Sequence, residues 1–437
     1  MSFEETQTAT ARAEPAIHLN LNVRGLSQSA TLAINERSNR LRAEGRHVYR
    51  LGLGQSPFPV PQPVVEELRA NAHQKDYLDV RGLHQLRDAV ASYYERRQEI
   101  ERTAEDVLVG PGSKELMFIL QLVYYGDLVI PTPSWVSYAP QAHIIGRHIR
   151  WVPTTPEEGW PLLPKELDRV CREDPSRPRL VILNYPSNPT GQTYTVEALQ
   201  ELAEVARKYR VILLSDEIYG EIDHRGNHTS IARFYPEGTI ISSGLSKWCG
   251  AGGWRLGTFT FPPSLRWLLD AMAVVASETY TSTSAPIQYA AVRAFEGGME
   301  LERYLFQSRR ILAALGNAVA SRLREAGLFV PDPQGAFYVF PDFGPVAGRL
   351  RERGIVTSKQ LCEQLLQDTG VALLPGSDFG RPDRELTTRL AYVDFDGARA
   401  LVAAHGVAPD QPLTPEFLDT YCENVIRATD AICSWVS

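Results

Sequence analysis

Little in this sequence points to disulfides, membranes or nucleic acids. The 437 residues include only five cysteines, an odd number without metal-ligand spacing, so we predict reduced thiols in a cytoplasmic protein. No apolar run is long enough to cross a bilayer, and residues 1–16 lack the apolar core of a signal peptide. The 52 acidic residues outnumber the 45 basic ones, and the resulting net charge of −7 argues against a nucleic-acid-binding surface.

The remaining composition is that of a globular protein with a sizeable core. Hydrophobic residues make up 43% of the chain and charged residues 22%, and the length predicts one large domain with a smaller one. From about residue 62, short apolar segments alternate with helical patterns, which predicts an α/β fold with a mostly parallel sheet covered on both faces. The clearest predicted strands are Val107–Val109, Leu128–Ile130, Leu180–Leu183, Val211–Leu214 and Thr239–Ile241.

The pattern changes after about residue 316, where we predict a smaller, discontinuous α+β domain. Its strands are expected in Gly335–Phe340, Val371–Leu374 and Thr388–Val393, with a final helix over Pro415–Trp435 and an N-terminal helix over Ser29–Gly45. The predicted divisions are a loose tail (1–20), the N-terminal part of the small domain (21–60), the large domain (61–316) and the C-terminal part of the small domain (317–437). Residues 398–414 receive no predicted role.

Five residues with chemical potential share one position in the predicted fold. Each of them lies just after a predicted strand, and ligands of open α/β sheets bind outside the carboxyl ends of the strands. We therefore expect these residues to meet at one rim of the sheet. They are Gly112, Trp135, Asn188, Asp216 and Lys247.

The run Ser242–Gly257 is the most informative part of the chain. Lys247 follows a strand and a serine-rich turn, and Arg255 comes eight residues later, after a glycine-rich turn. Such a lysine can form a Schiff base with an aldehyde, and the arginine with a serine such as Ser246 can hold a phosphate. Pyridoxal phosphate carries both groups, so we interpret the chain as a pyridoxal-phosphate enzyme. The alternative is a pair of solvated surface cations.

Three further residues fit the cofactor's ring. Asp216 can pair with the pyridine nitrogen, and Asn188 and Tyr219 can donate to the ring oxygen. Taken singly, each has a plain structural alternative: a helix N-cap for the aspartate, a turn residue for the asparagine and a half-buried packing residue for the tyrosine. The neighbouring Glu217 is predicted to be structural or solvated.

The remaining candidates concern anions and stacking. Gly112-Ser113-Lys114 opens a predicted helix, where free N–H groups form an anion cradle, although such a turn is often only a tight turn. Trp135 can lay its ring on the cofactor or belong to the core. Arg389, in a predicted strand, can grip a substrate carboxylate or form a structural ion pair.

With these residues in place, the chain resembles the class I aminotransferases, the aspartate-aminotransferase-like branch of the fold-type-I pyridoxal-phosphate enzymes. The resemblance runs from about residue 24 to 436. Its most specific segments are Tyr185–Gly191, Ser215–Tyr219, Ser246-Lys247 and Gly253–Gly257. It implies a large domain with a sheet of the seven-stranded type, in which Lys247 is the Schiff-base lysine.

The resemblance also implies how the other residues act. Asp216 and Tyr219 join Lys247 in catalysis, Arg389 clamps the substrate's α-carboxylate beside Asn188 and Trp135, and Gly54 lies in a loop that closes over the substrate. Tyr77 contacts the phosphate in the neighbouring subunit, which implies a homodimer with shared active sites. The implied phosphate ligands are the amides of Gly112, Ser113 and Lys114, with Ser246 and Arg255. No metal is expected.

The implied reaction is transfer of an amino group between an α-amino acid and a 2-oxo acid. The segment Glu278–Ser284 has no arginine and the loop Gly54–Pro57 has no acidic residue, which weakens the expectation of aspartate or glutamate as substrate. Two alternatives stay open. The same site can support β-elimination, cyclisation or oxidation of an amino acid, and the fold can also act as a non-catalytic cofactor sensor.

Overall fold

The computed structural model describes residue 18, residues 20–26 and residues 30–437, so most of the predicted tail and Ser29 lie outside the described residues. Within the described part, no helix combines the length and apolar character needed to cross a membrane. The helices are α1 (Ala30–Ala43), α2 (Gln62–Asn71), α3 (His84–Gln98), α4 (Ser113–Val123), α5 (Tyr138–Ile144), α6 (Pro164–Arg172), α7 (Val196–Lys208), α8 (Arg266–Thr279), α9 (Ala285–Glu296), α10 (Met299–Glu325), α11 (Ala347–Glu352), α12 (Ser358–Thr369), α13 (Gly397–His405), α14 (Pro415–Tyr421) and α15 (Glu423–Val436).

The strands form one large sheet and two small ones. They are β1 (Tyr49–Arg50), β2 (Val107–Gly110), β3 (Asp127–Thr132), β4 (Ile149–Pro153), β5 (Arg179–Asn184), β6 (Ile212–Asp216), β7 (Thr239–Gly244), β8 (Gly257–Thr260), β9 (Tyr338–Val339), β10 (Val371–Ala372), β11 (Leu374–Pro375) and β12 (Thr388–Ala391). The large sheet has seven strands in the order β2-β8-β7-β6-β5-β3-β4. All its neighbouring strands are parallel except where β8 runs antiparallel to β2 and β7. The predicted fold class is confirmed.

The apolar character of the central strands follows from burial on both faces. Along β3, Leu128 and Ile130 belong to one core cluster, whereas Val129 between them belongs to another on the opposite face. Helices cover both clusters, so every position of such a strand is apolar instead of every second one. This packing fixes the carboxyl ends of β5, β6 and β7 side by side.

A second lobe contains the two small sheets. Strands β11, β12 and β9 form an antiparallel sheet, and β1 pairs with β10 in parallel. Helix α1 packs on this lobe, because Ile34 contacts the cluster of Val48, Leu366 and Ala372. The contact agrees with the expectation for the N-terminal helix, and the exact domain boundaries stay a prediction.

Several predicted elements differ from the structure. The single strand expected over Val371–Leu374 is wrong, because β10 and β11 bend apart and pair in different sheets. The final helix is two helices, since Cys422 leaves helical geometry at φ −125° and ψ 26°. The segment after Gly397, which received no predicted role, begins with helix α13.

Candidate active site

A cavity of about 600 Å³ lies at the carboxyl ends of β5, β6 and β7, between the large sheet and the second lobe. It brings together four of the five residues expected at the rim, and it adds Arg389 from β12 and Gly54 from the N-terminal part. A cavity of about 660 Å³ elsewhere contains none of these groups. The predicted site residues that line the first cavity are Gly54, Ser113, Lys114, Trp135, Asn188, Asp216, Tyr219, Ser246, Lys247, Arg255 and Arg389.

Lys247 projects into this cavity from the turn after β7. Its Nζ donates to the backbone carbonyl of Gly54 at 2.7 Å and lies 5.7 Å from the centroid of the Tyr219 ring. Desolvation, with the nearby charges of Arg389 and Arg255, lowers the pKa of the amine to about 8. About a tenth of the amine is therefore unprotonated at pH 7, in the form that attacks a carbonyl carbon.

Asp216 is the last residue of β6 and is only 4% exposed. Its Oδ2 accepts from the Tyr138 hydroxyl at 2.6 Å, and its Oδ1 accepts from Ser242 Oγ at 3.3 Å. Burial raises the pKa of this carboxyl to about 6, and the Tyr138 hydrogen bond opposes that rise. A buried carboxylate of this kind is stabilised by a positively charged partner.

Asn188, Tyr219 and Arg389 form a connected group beside Lys247. The Asn188 amide donates to the Tyr219 hydroxyl at 3.5 Å, and Nη1 of Arg389 donates to Asn188 Oδ1 at 3.1 Å. The hydroxyl of Tyr219 is also 2.8 Å from that of Tyr338. Amide and phenol donors thus point at the same part of the cavity.

The guanidinium of Arg389 is held for an incoming anion. It is 1% exposed and lies 4.9 Å from the Tyr338 ring centroid and 5.1 Å from that of Phe379. Nη2 donates to the carbonyl of Gly52, whereas the buried Nε has no partner. Because an unpaired buried donor is costly, the arrangement fits a carboxylate ligand.

The opposite end of the cavity is built for a second anion. Gly112 has φ +93° at the start of α4, and a Cβ there would lie 2.1 Å from Arg255 Nη2, so only glycine lets the arginine approach the helix N-terminus. Burial and the charge of Arg255 lower the pKa of Lys114. The Arg255 guanidinium and the free helix amides make a phosphate site, and the Lys114 ammonium lines the same cavity. Gly112 itself does not line the cavity, and it acts through this close approach.

Trp135 and Tyr77 differ in position. The Trp135 ring lines the cavity and meets Tyr138 edge-on, with centroids 5.3 Å apart, and Lys114 Nζ lies 5.1 Å from its centroid. Tyr77 is 88% exposed and does not line the cavity within this chain. The structure of one chain therefore does not bring Tyr77 to the other predicted residues.

Three residues of the site escaped the sequence analysis. Tyr138 and Ser242 bond to Asp216, and Tyr338 contacts Tyr219, Arg389 and Gly54. Ser242 lay in the serine-rich turn, where its proximity to Lys247 was a usable signal. Nothing in the sequence marks the two tyrosines, because their partners are distant along the chain.

The chemistry of these donors fits pyridoxal phosphate. The cavity offers an amine for the aldehyde, a buried carboxylate for a protonated ring nitrogen, ring-oxygen donors and an anion cradle for the phosphate. A seven-stranded, mostly parallel sheet with these groups at its rim defines a fold-type-I pyridoxal-phosphate enzyme. The chain belongs to the aminotransferase class I and II family, whose model matches residues 46–401.

Sequence relatives and solved structures support that assignment. The chain is 34% identical over 380 residues to an aspartate aminotransferase of Geobacillus stearothermophilus, covering 85% of this chain and 93% of that protein. It is 30% identical over 392 residues to an asparagine–oxo-acid transaminase of Streptococcus mutans, covering 86% and 94%. A structure of Thermus thermophilus aspartate aminotransferase with maleate superposes with a TM-score of 0.81 at 28% identity, over 96% of this chain and all of the other.

The protein is a pyridoxal-phosphate-dependent aminotransferase. It moves an amino group between an α-amino acid and a 2-oxo acid, and the predictions of family, cofactor and reaction are confirmed. The individual roles of the site residues stay predictions.

Proposed function

We propose that Lys247 is the covalent anchor and proton carrier of this aminotransferase and that Asp216 and Arg389 fix the two ends of the reacting pair. The observation that carries the proposal is the Lys247 amine, with its pKa lowered to about 8, in one cavity with a buried carboxylate and a buried guanidinium. Such perturbed groups gathered in one cleft are typical of catalytic sites.

Each group has a defined task in this proposal. When bound, pyridoxal phosphate supplies an electron sink for the electron pair released with the α-proton of the amino acid. Asp216 accepts a hydrogen bond from the N–H of the ring nitrogen and keeps that nitrogen protonated. Asn188 and Tyr219 donate hydrogen bonds to the ring oxygen. Trp135 covers one face of the ring. Arg389 binds the α-carboxylate and so fixes the direction of the Cα–H bond.

Lys247 then moves the proton. With a pKa near 8, its free amine is basic enough to take the α-proton from the substrate and acidic enough, once protonated, to return it. Return of the proton, followed by hydrolysis with one water molecule, leaves the amino group in the site and releases a 2-oxo acid that takes its keto oxygen from the water. Arg255, Ser246 and the amides of Ser113 and Lys114 hold the phosphate throughout.

One cation of the cavity, the Lys114 ammonium, has no task in this scheme and indicates the substrate class. Arg255, Lys247 and Arg389 are occupied, whereas the Lys114 ammonium lies over Trp135 with no ion-pair partner among the described residues. A second carboxylate on the substrate would pair with it. The Thermus thermophilus relative was solved with maleate, a dicarboxylate, which supports an acidic amino acid as donor despite the missing arginine in Glu278–Ser284.

The assembly is part of the proposal. Tyr77 is exposed in one chain, and a homodimer in which it reaches the phosphate site of the partner subunit would give it a use. We propose that dimer, with two shared active sites in the cytoplasm, as the working enzyme.

Substitution of Lys247 tests the assignment. We expect Lys247→Ala to lose turnover with every amino acid and to release its cofactor on dialysis, because no covalent anchor remains. Lys208→Ala, which removes a surface amine paired with Asp168, is the matched control and should behave as wild type. Full activity of Lys247→Ala would overturn the proposal.

A further inference from the structure

Glu217 lies directly behind Asp216 and does not line the active-site cavity. Its side chain is 4% exposed, so it is not the solvated residue that was one of its predicted forms. Oε1 accepts from Ser215 Oγ at 2.8 Å and from Ser230 Oγ at 2.6 Å, and Oε2 contacts His228 Nε2 at 2.9 Å. Two hydroxyls donate to this carboxylate and a ring nitrogen lies beside it, so the position of the Glu217 side chain is fixed.

His228 is built into the same site. Its ring is 9% exposed and lies 5.3 Å from the centroid of Tyr185. Gly220 makes room for it, because a Cβ on that residue would come within 2.8 Å of His228 Cδ2. Burial acts to lower the pKa of His228, but the Glu217 carboxylate, with Asp223 and Glu221, raises it above its ordinary value.

The pair is tied to Asp216 by main chain and by charge. The N–H of Glu217 donates to the carbonyl of Ser242 at 2.9 Å, and the hydroxyl of Ser242 donates to Asp216. Burial is the largest influence that raises the pKa of Asp216, and the Glu217 charge adds a smaller rise. The hydrogen bonds from Tyr138, Ser242 and the backbone lower it. The Glu217 charge is the smallest of these influences, but it acts from within the same buried region, where charges interact more strongly than in water.

We propose that Glu217 and His228 form a buried positioning pair that fixes the Asp216 carboxylate and sets the charge behind it. The inference rests on the proposed role of Asp216 toward the ring nitrogen. With His228 protonated the pair is neutral, and with His228 neutral it places one negative charge behind Asp216. Neither residue touches the cofactor, so both act through Asp216.

The experiment compares three variants of the full-length holoenzyme. Glu217→Gln keeps the shape and removes the negative charge, His228→Gln removes the positive charge, and Asp106→Asn is the control. Asp106 is a buried carboxylate whose ion-pair partner is Arg266, and it does not contact the pair. The readouts are the dissociation constant for pyridoxal phosphate, by equilibrium dialysis, and the pH midpoint of the bound cofactor's visible absorbance.

Opposite shifts are the expected result. Glu217→Gln lowers the midpoint by about one pH unit and weakens cofactor binding about ten-fold, because less negative charge holds the proton at the ring nitrogen. His228→Gln raises the midpoint, and Asp106→Asn leaves it in place. A purely structural role would change the thermal stability of the variants without shifting their midpoints in opposite directions. Midpoints that are unchanged, or that shift in the same direction in both variants, overturn the inference. If Glu217→Gln does not fold, an unshifted or lowered midpoint in His228→Gln overturns it alone.

The role of Asp216 itself is tested separately in the same dialysis. Asp216→Asn with wild-type cofactor affinity would remove the proposed function. Weak binding in Asp216→Asn together with wild-type midpoints in both pair variants would remove only the inference about Glu217 and His228.

Discussion

Nη1 of Arg389 donates to Oδ1 of Asn188 at 3.1 Å, a hydrogen bond that joins the second lobe to the loop after β5. In the proposed function Arg389 holds the substrate and Asn188 holds the cofactor, so this bond couples the two ligands. Substrate arrival at the guanidinium is thereby transmitted to a donor of the ring oxygen.

Arg389→Lys should raise the KM for amino acids about 10- to 100-fold and change kcat less. The ammonium keeps the charge but loses the fork that binds a carboxylate through two hydrogen bonds, each worth roughly 1.5–3 kcal/mol. Steady-state kinetics with a fixed 2-oxo acid measure both constants. Arg384→Lys, at an exposed arginine without an ion pair in the described residues, is the control. An unchanged KM in Arg389→Lys would contradict the clamp.

The reactivity of the Lys247 amine should follow a pKa of about 8 instead of its ordinary 10.5. The unprotonated amine is the nucleophile, so the rate at which the cofactor-free enzyme takes up pyridoxal phosphate rises with pH and reaches half its maximum near pH 8. Stopped-flow absorbance between pH 6 and 10 follows this reaction. A midpoint near 10 would mean that the amine is solvated.

Asp216→Asn should stabilise the cofactor-free enzyme while weakening cofactor binding. The pKa of Asp216 is about 6 in the folded chain and ordinarily 3.8, so its ionisation costs stability that grows as pH rises from 3.8 to 6 and is constant above that. The gain should approach about 3 kcal/mol at pH 7 and be smaller at pH 5. Urea unfolding at both pH values measures it, and a loss of stability at pH 7 would contradict the prediction.

Lys114→Met should discriminate between substrates. The methionine keeps the length and the contact with Trp135 but removes the charge, so we expect kcat/KM for aspartate to fall about ten-fold or more. The value for alanine, which has no second carboxylate, should fall much less. Equal losses for both amino acids would place Lys114 at the phosphate alone.

Tyr77 and Lys247 should complement each other between subunits. Tyr77→Ala and Lys247→Ala homodimers are each expected to be impaired, but a mixed dimer has one site with both substitutions and one intact site. Random exchange of subunits gives half mixed dimers, so about a quarter of wild-type activity should return. Measurement after co-refolding tests this, and no recovery would argue against shared sites.

Much of this site was predictable because position along a parallel sheet is readable from sequence. The ends of apolar strands such as Leu180–Leu183 and Val211–Leu214 can be recognised because the apolar run stops there. Residues that follow those ends meet at one rim of the sheet. The residues that support them were not predictable. Tyr138 bonds to Asp216 across 78 positions and Tyr338 to Tyr219 across 119, contacts that exist only once the layers have packed.

Short and irregular elements account for most errors in the fold. Strands β10 and β11 have two residues each and their apolar segment is continuous, so only the pairing partners separate them. Strand β8 has only four residues and was not predicted, and its direction depends on β2 and β7. Partners, not local preference, define such strands.

The antiparallel direction of β8 limits how the sequence of this enzyme can evolve. Gly244 at the end of β7 faces Gly257 at the start of β8, and the loop between them carries both Lys247 and Arg255. In the proposed function these two residues hold the two ends of the cofactor, so a single stretch of main chain sets the distance between them. Adapting the enzyme to a longer or shorter cofactor would require inserting or deleting residues in that loop, because a single amino-acid substitution does not change the length of the loop.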